Sequence, residues 1–462
     1  MKKIILSMLT IGIIFSCGKV QKEETVGTVQ TEIQKEKKST LPPVSDATME
    51  NAVIYEANIR QYSEEGSFKA FTKDIPVLKQ LGVKILWLMP IYPISTTKSK
   101  GSLGSYYAVS DYTKVNPEFG TIEDFRELVK TAHDHRIYVI LDWVANHTGW
   151  DHVWLKEHPE YYTKDKEGNI THTVGTDWTD VADLNYDNQE MREQMRQDMI
   201  YWVKEEGVDG FRCDVAGMVP VDFWENTVEE IEKIKPVIML AEGWEPELME
   251  NAFDMGYGWD THHKMNDIAQ GKANVEEWDK RMIQVDTLYA KDDILMNFTS
   301  NHDENSWNGT VQERMGDAKE MFAALSYLTP GMPLIYSGQE YDMNKRLLFF
   351  EKDTIIKKKG KFFPLYEKLG KLKNNNPALN GGKNAASYAR IKTSHDDKIL
   401  AFKREKEGSE VIFVANMTKE PVKFDIEFQG KFKNYLSQQE IELKSDQANS
   451  LGAWEYLVLV QE

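Results

Sequence analysis

A chain of 462 residues that is 41% hydrophobic and 28% charged can bury a large core and is neither a disordered tail nor a fibre. Its formal charge of -18 excludes a protein that grips nucleic acid by neutralising phosphates, which needs clustered Lys and Arg. The two cysteines, Cys17 and Cys213, imply no disulfide framework.

In chain order, Lys2 and Lys3 precede an apolar run over 4–15, then Ser16 and Cys17. A charged head, a short hydrophobic stretch and a small residue before cysteine predict a lipoprotein signal peptide over 1–17, with Cys17 lipidated. The run is too short for a permanent membrane span, which needs about 20 residues. Residues 18–48 are polar and read as a flexible tether. This start predicts export to a bacterial cell envelope, facing the periplasm or the outer surface, with the lipid anchor as the only membrane contact.

From Ala52 short apolar runs alternate with amphipathic stretches. Eight runs read as buried strands, at 53–59, 84–90, 138–144, 210–216, 237–243, weakly near Phe253, 294–300 and 332–337. Helical periods lie between them, as in 122–136 and 189–206. This spacing predicts a (β/α)8 barrel, although a doubly wound sheet would show similar alternation. Residues 148–188 lack a crossover helix and are rich in Trp, His, Asp and Gly, so they read as an inserted domain after the third strand. The barrel then occupies 49–147 and 189–376. From 377 to 462 the pattern becomes β-rich, with strands predicted at 386–392, 399–404, 410–416, 422–428 and 454–460, and a C-terminal antiparallel β-sandwich is expected.

The chemistry falls at the C-terminal ends of the predicted barrel strands. Asp142, Asn146 and His147 lie in DWVANH, Arg212 and Asp214 in GFRCD, Glu242 in LAEGW, and His302 and Asp303 in SNHD. In a barrel these ends face one mouth, so four carboxylates converge. Cleaving a glycosidic bond needs one carboxyl that holds its proton for the leaving oxygen and one, ionised, that attacks or stabilises the anomeric carbon. Arg212 shares a strand face with Asp214 and is expected to keep it ionised. Like charge from Asp214 and Asp303 is expected to raise Glu242.

These motifs, in this order, resemble the α-amylase family of glycoside hydrolases, family 13. ADLN at 182–185 is similar to a further family motif, and GSYYAVSDYTKVNPEFGTIEDF at 104–125 resembles the segment that carries the platform tyrosine, here Tyr107. The resemblance spans residues 52 to about 345. It implies that Asp214 is the nucleophile, Glu242 the general acid/base and Asp303 the stabiliser of the transition state, with anomeric configuration retained. It implies sugar contacts from Tyr107, His147, Arg212 and His302, and a bracing role for Asp142. Asn146 and Asp183 match positions that hold structural Ca²⁺ in many members, whereas ADLN followed by YDNQEMRE also resembles branches without the ion. No organic cofactor is implied. Where many endo-acting members carry Lys-His after the nucleophile, this chain has Gly217-Met218, which weakens the reading as a long-chain starch endo-enzyme and leaves room for action on short maltooligosaccharides.

The expected substrate is an α-glucan cut mainly at α-1,4 bonds. An α-glucan transglycosylase and a non-catalytic glucan-binding surface protein are the alternatives. Cys213 is expected to pack in the core and Asp111 to be structural. His133 and His135 are expected to face solvent. Among Trp143, Trp150, Trp154 and Trp178 some pack and some are free to meet sugar, and Asn185 is read as a helix cap. The sequence carries no reading of oligomeric state.

Overall fold

The structure, a computed structural model, describes residues 41–445 and 448–461. The predicted signal peptide, Cys17 and the tether as far as residue 40 lie outside the described residues. Eight parallel strands close into a barrel: β1 (Ile54–Ala57), β2 (Ile85–Leu88), β3 (Tyr138–Trp143) and, after a hairpin of β4 (His147–Gly149) and β5 (Val181–Asp183), β6 (Gly210–Cys213), β7 (Ile238–Ala241), β8 (Met255–Tyr257), β9 (Ile294–Asn297) and β10 (Met332–Tyr336). Closure comes from β1, which pairs Ile54 with Ile85 on one side and with Leu334 on the other. These strands are apolar runs because both their faces are covered.

Alternation divides the two faces. Ile54, Trp87, Ile140, Leu240, Tyr257, Met296 and Leu334 fill the barrel, while Tyr55, Leu86, Leu141, Phe211, Cys213 and Met239 pack outward against the helices. By the same alternation Glu56, Asp142 and Arg212 point inward at the C-terminal rim. Cys213 is fully buried on the outer face, as expected.

The floor differs from the sequence reading. Residues 41–48 are not tether: Leu41 and Val44 pack against the barrel interior, and Tyr138 Oη donates to the Pro42 carbonyl at 3.1 Å. Burial of two apolar side chains there outweighs the polar composition of the segment as a whole. His133 is not solvent-facing either. Its Nε2 sits 2.7 Å from the Asp209 carboxylate in a largely buried pair, and His135 Nδ1 bonds the Thr131 carbonyl at 2.9 Å.

In the inserted domain β4 and β5 pair antiparallel, His147 opposite Asp183. The helix Gln189–Lys204 returns the chain to the barrel. Its cap is Asn188, whose side chain accepts from the Glu190 and Met191 N–H groups; Asn185 only receives the Asp187 N–H.

The C-terminal region forms β11 (Ser387–Arg390), β12 (Ile399–Lys406), β13 (Ser409–Asn416), β14 (Val422–Phe424), β15 (Gly430–Asn434), β16 (Glu440–Leu443), β17 (Asn449–Leu451) and β18 (Tyr456–Val460). Six make one antiparallel sheet in the order β11-β12-β13-β18-β15-β16, and β14 pairs with β17. One face of the large sheet (Phe402, Phe413, Val458) packs on barrel-helix residues Phe322, Leu325, Leu328 and Leu372. The other (Ile399, Ile412, Val414) covers Val422, Phe424 and Leu451. Arg404 and Lys373 are wholly buried at this junction and donate to backbone carbonyls, Leu328 O for Arg404 and Gly331 O for Lys373.

Candidate active site

One guanidinium organises the mouth of the barrel. Arg212, fully buried on β6, bonds Asp142 at 2.8 Å and Asp214 at 3.0 Å through Nη1, while Nη2 forms an ion pair with Glu242 at 2.8 Å. Its Nε donates to Tyr257 Oη at 3.1 Å, and the Trp87 ring lies 4.9 Å from its centre. Sequence alternation placed Arg212 beside Asp214; the structure adds two carboxylates from neighbouring strands. Asp142 is the brace: Trp87 Nε1 and Tyr107 Oη each donate to its Oδ2 at 3.1 Å.

The proton balance of the pair Asp214 and Glu242 departs from expectation. Burial, and then the charge of Glu242, push Asp214 well above the usual carboxylate range in spite of Arg212. Glu242 also feels burial, yet Arg212 and the Val215 N–H, which donates to Oε2 at 2.8 Å, hold it below its ordinary value. The Arg212 guanidinium and the Val215 N–H thus favour the ionised form of Glu242. Arg212 contributes most of this, and Val215 adds to it: a β-branched residue at φ 36° and ψ 49°, a costly left-handed conformation, it aims its N–H at Glu242.

Tyr107 and His302 form the other wall. Their rings lie 5.5 Å apart and 21° from parallel, with His302 Nε2 2.8 Å from Tyr107 Oη. Burial would lower His302, but Asp303 and Glu56 raise it to about 9. Asp303 is the most open of the three carboxylates, its side chain 36% exposed against 11% for Asp214 and 13% for Glu242. Burial still raises it, against the neighbouring imidazole. Glu56, Trp87, Tyr257 and Phe349, which extends from Tyr107 at 6.3 Å, escaped the sequence reading. The inward alternation of β1 was the one available signal for Glu56.

His147 lies at the inserted-domain side, its ring 5.6 Å from Trp178, and burial drops it to about 4, so it is neutral. Asn146 and Asp183 are joined through Thr173: the Asn146 amide donates to Thr173 Oγ1 at 3.0 Å, and that hydroxyl donates to Asp183 Oδ1 at 2.8 Å. Calcium takes about six to eight oxygens. Here the Thr173 hydroxyl bridges the two side chains, so an ion at this junction would have to compete with that hydrogen-bonded link. Among the described residues no group of three or more His, Cys, Asp or Glu is placed to hold a metal. Asp111 accepts from Thr113 and Lys114 and is structural. Trp143 and Trp154 are packed; Trp150 is tied to the Thr179 carbonyl and covered by Lys98. Beyond Glu242, Met218 and Trp244 are 53% and 48% exposed and give that side an apolar rim.

Comparisons with known proteins agree with this layout. The family described as "Alpha amylase, catalytic domain" matches residues 42–378, and "Maltogenic Amylase, C-terminal domain" matches 390–458. The chain is 26% identical to Alpha-amylase 3 of Dictyoglomus thermophilum over 468 aligned positions, 85% of this chain and 88% of that one. It is 31% identical over 320 positions to a 4-alpha-glucanotransferase of Thermotoga neapolitana, covering 60% of this chain and 68% of the relative. A crystal structure of a maltogenic alpha-amylase from Thermotoga neapolitana superposes with a TM-score of 0.82 at 31% identity, over 89% of this chain and 98% of that one. The barrel, the terminal sheet domain and the matched catalytic region together show that this chain belongs to the α-amylase family of glycoside hydrolases.

Proposed function

We propose that the protein is a retaining α-glucan hydrolase acting mainly on α-1,4 bonds of starch-derived glucans or maltooligosaccharides. The observation that carries this reading is the single buried Arg212 joining carboxylates from three strand ends, Asp142, Asp214 and Glu242, with Asp303 facing them across Tyr107 and His302. Asp214 attacks the anomeric carbon while Glu242 gives its proton to the departing oxygen; the carbon–oxygen bond breaks and a glycosyl ester forms on Asp214. Glu242 then takes a proton from water, whose oxygen releases the sugar with configuration retained. Asp303 stabilises the positive charge at the ring, and Tyr107, His147 and His302 hold the sugar. Turnover needs Glu242 protonated and Asp214 ionised, and like charge in a desolvated pair keeps one proton on the two carboxyls.

The test is incubation of the protein with maltoheptaose, soluble starch and pullulan, with products resolved by size and anomeric form. Early α-configured products from wild type are expected, with turnover reduced by about 10²–10⁴-fold or more in Asp214→Asn and in Glu242→Gln. Equal products from the variants would overturn the assignment.

A second reading, α-glucan transglycosylation, is favoured by the apolar rim of Met218 and Trp244, which suits a sugar acceptor in place of water, and by the relative named as a glucanotransferase. A non-catalytic glucan-binding role predicts binding without turnover in wild type as well. The amino-terminal pattern of Lys2, Lys3, the apolar run and Cys17 supports an exported lipoprotein held at a bacterial envelope by its lipid alone. Calcium at Asn146 and Asp183 is the family's offer; the Thr173 bridge supports a junction held without it.

A further inference from the structure

Glu56 ends the inward face of β1 and has no exposure at all. A carboxylate so placed needs a cationic partner, because an unpaired buried charge is costly. That partner is His302, whose Nδ1 is 2.6 Å from Glu56 Oε1 and whose backbone N–H reaches the same oxygen at 3.3 Å. The opposite nitrogen, Nε2, is 2.8 Å from Tyr107 Oη, and the tyrosine hydrogen goes on to Asp142 Oδ2 at 3.1 Å. With the imidazole doubly protonated, every donor in this line has an acceptor and every hydrogen has one direction, from His302 to Glu56 on one side and through Tyr107 to Asp142 on the other. With one proton lost, the remaining hydrogen stays on Nδ1 toward Glu56. Nε2 then becomes an acceptor, and Tyr107 has one hydrogen for two competing partners.

We propose that Glu56 is a positioning residue for the glycosidase reaction, holding His302 as an imidazolium so that Tyr107 keeps one orientation under the sugar. Its kinetic consequence rests on the reading of the site given above; its geometry does not. The groups that face His302 are known from every side. Glu56 on β1, with Tyr336 of β10 behind it, and Asp303 beside the ring favour the charged form, and Asp142 on β3 and Glu242 after β7 add to them. Arg212 on β6 opposes it, Tyr107 contacts it, and Trp87 on β2 meets it edge-on at 5.9 Å without a charge. The net effect is the rise to about 9. The second Glu56 oxygen, Oε2, is buried with no hydrogen-bond partner among the described residues, so the carboxylate's hydrogen bonding is directed at His302.

The experiment is the titration of His302 by nitrogen-15 NMR in wild type, Glu56→Gln and Glu56→Asp, beside kcat/KM for maltoheptaose from pH 5 to 9.5. His302 is expected to titrate near 9 in wild type, about 1.5 pH units or more lower in Glu56→Gln, and within about half a unit of wild type in Glu56→Asp, which keeps the charge. The kcat/KM of Glu56→Gln at pH 8 is expected to fall about fourfold or more relative to its own value at pH 6, while Glu56→Asp follows the wild-type profile at whatever height. A Glu56→Gln profile that matches wild type after scaling, or an unchanged His302 titration, overturns the proposal. If Glu56→Gln does not fold, a wild-type His302 that titrates near its ordinary value overturns it alone. If wild type turns over no glucan, the glycosidase reading fails, and the NMR titration still decides whether Glu56 holds His302 charged.

Discussion

At the scale of single residues, the carboxylates Asp214, Glu242 and Asp303 were legible because each follows an apolar strand in a short motif. What no motif carried was the setting of Glu242, since Arg212 Nη2 and the Val215 N–H reach it only in the folded chain. Glu56 was illegible for a related reason: a lone acid in an apolar run has no visible partner when that partner lies 246 residues away. A similar long-range cluster supports the segment after Asp303. Glu304 meets His262 at 3.0 Å and Arg314 at 3.5 Å. Burial would raise its carboxyl, but His262 and Arg314 bring it down to about 2. A depressed carboxylate contributes stability above its unfolded value near 4.3 and loses it as pH falls toward 2. Glu304→Gln, which leaves Arg314 its bonds to Gly309, Asn266 and Thr299 but removes the carboxylate beside it, is expected to cost about 1–3 kcal/mol at neutral pH and to flatten the stability curve between about pH 5 and 2, as read by urea titration. An unchanged acid limb would refute this account.

Elements were read at different depths. Barrel strands announce themselves as unbroken apolar runs, whereas β15, β16 and β17 bury only alternate or single residues and disappear into a polar sequence. The register that aims Arg212 depends on Gly210, where φ is 147° and an added Cβ would lie 1.9 Å from the Ile238 carbonyl oxygen. Gly210→Ala is expected to part β6 from β7, costing about 3 kcal/mol or more. Activity should fall with the melting temperature, because the same pairing sets Arg212 against Glu242; a variant with wild-type stability would contradict the close approach. The inserted-domain junction makes another element-scale prediction. With Thr173 already linking Asn146 to Asp183, EDTA is expected to leave the melting temperature unchanged, and a fall reversed by Ca²⁺ would assign the junction to the ion.

Across the whole molecule, the division into barrel and terminal sheet was visible as a change of pattern near Asn376, but their dependence on one another was not. Phe322, Leu325, Leu328 and Leu372 on the barrel helices are covered by the sheet, and Lys373 and Arg404 are buried where the two meet. A chain ended at residue 385 is expected to be insoluble or to bind hydrophobic dyes strongly, since it bares that apolar face; a monodisperse, cooperatively melting fragment would disprove it.

The pairing of β1 with β10 also sets a timetable. Ile54 waits for Leu334, and Glu56 waits for His302, so a growing chain holds its first strand without neighbours on one edge until nearly three quarters of the protein has been made. Contacts so distant in sequence slow folding and prolong the exposure of an unpaired edge. A nascent fragment that stops short of His302 and Asp303 lacks part of this site. The first turnover by a ribosome-released chain would mark the moment at which its two ends have met.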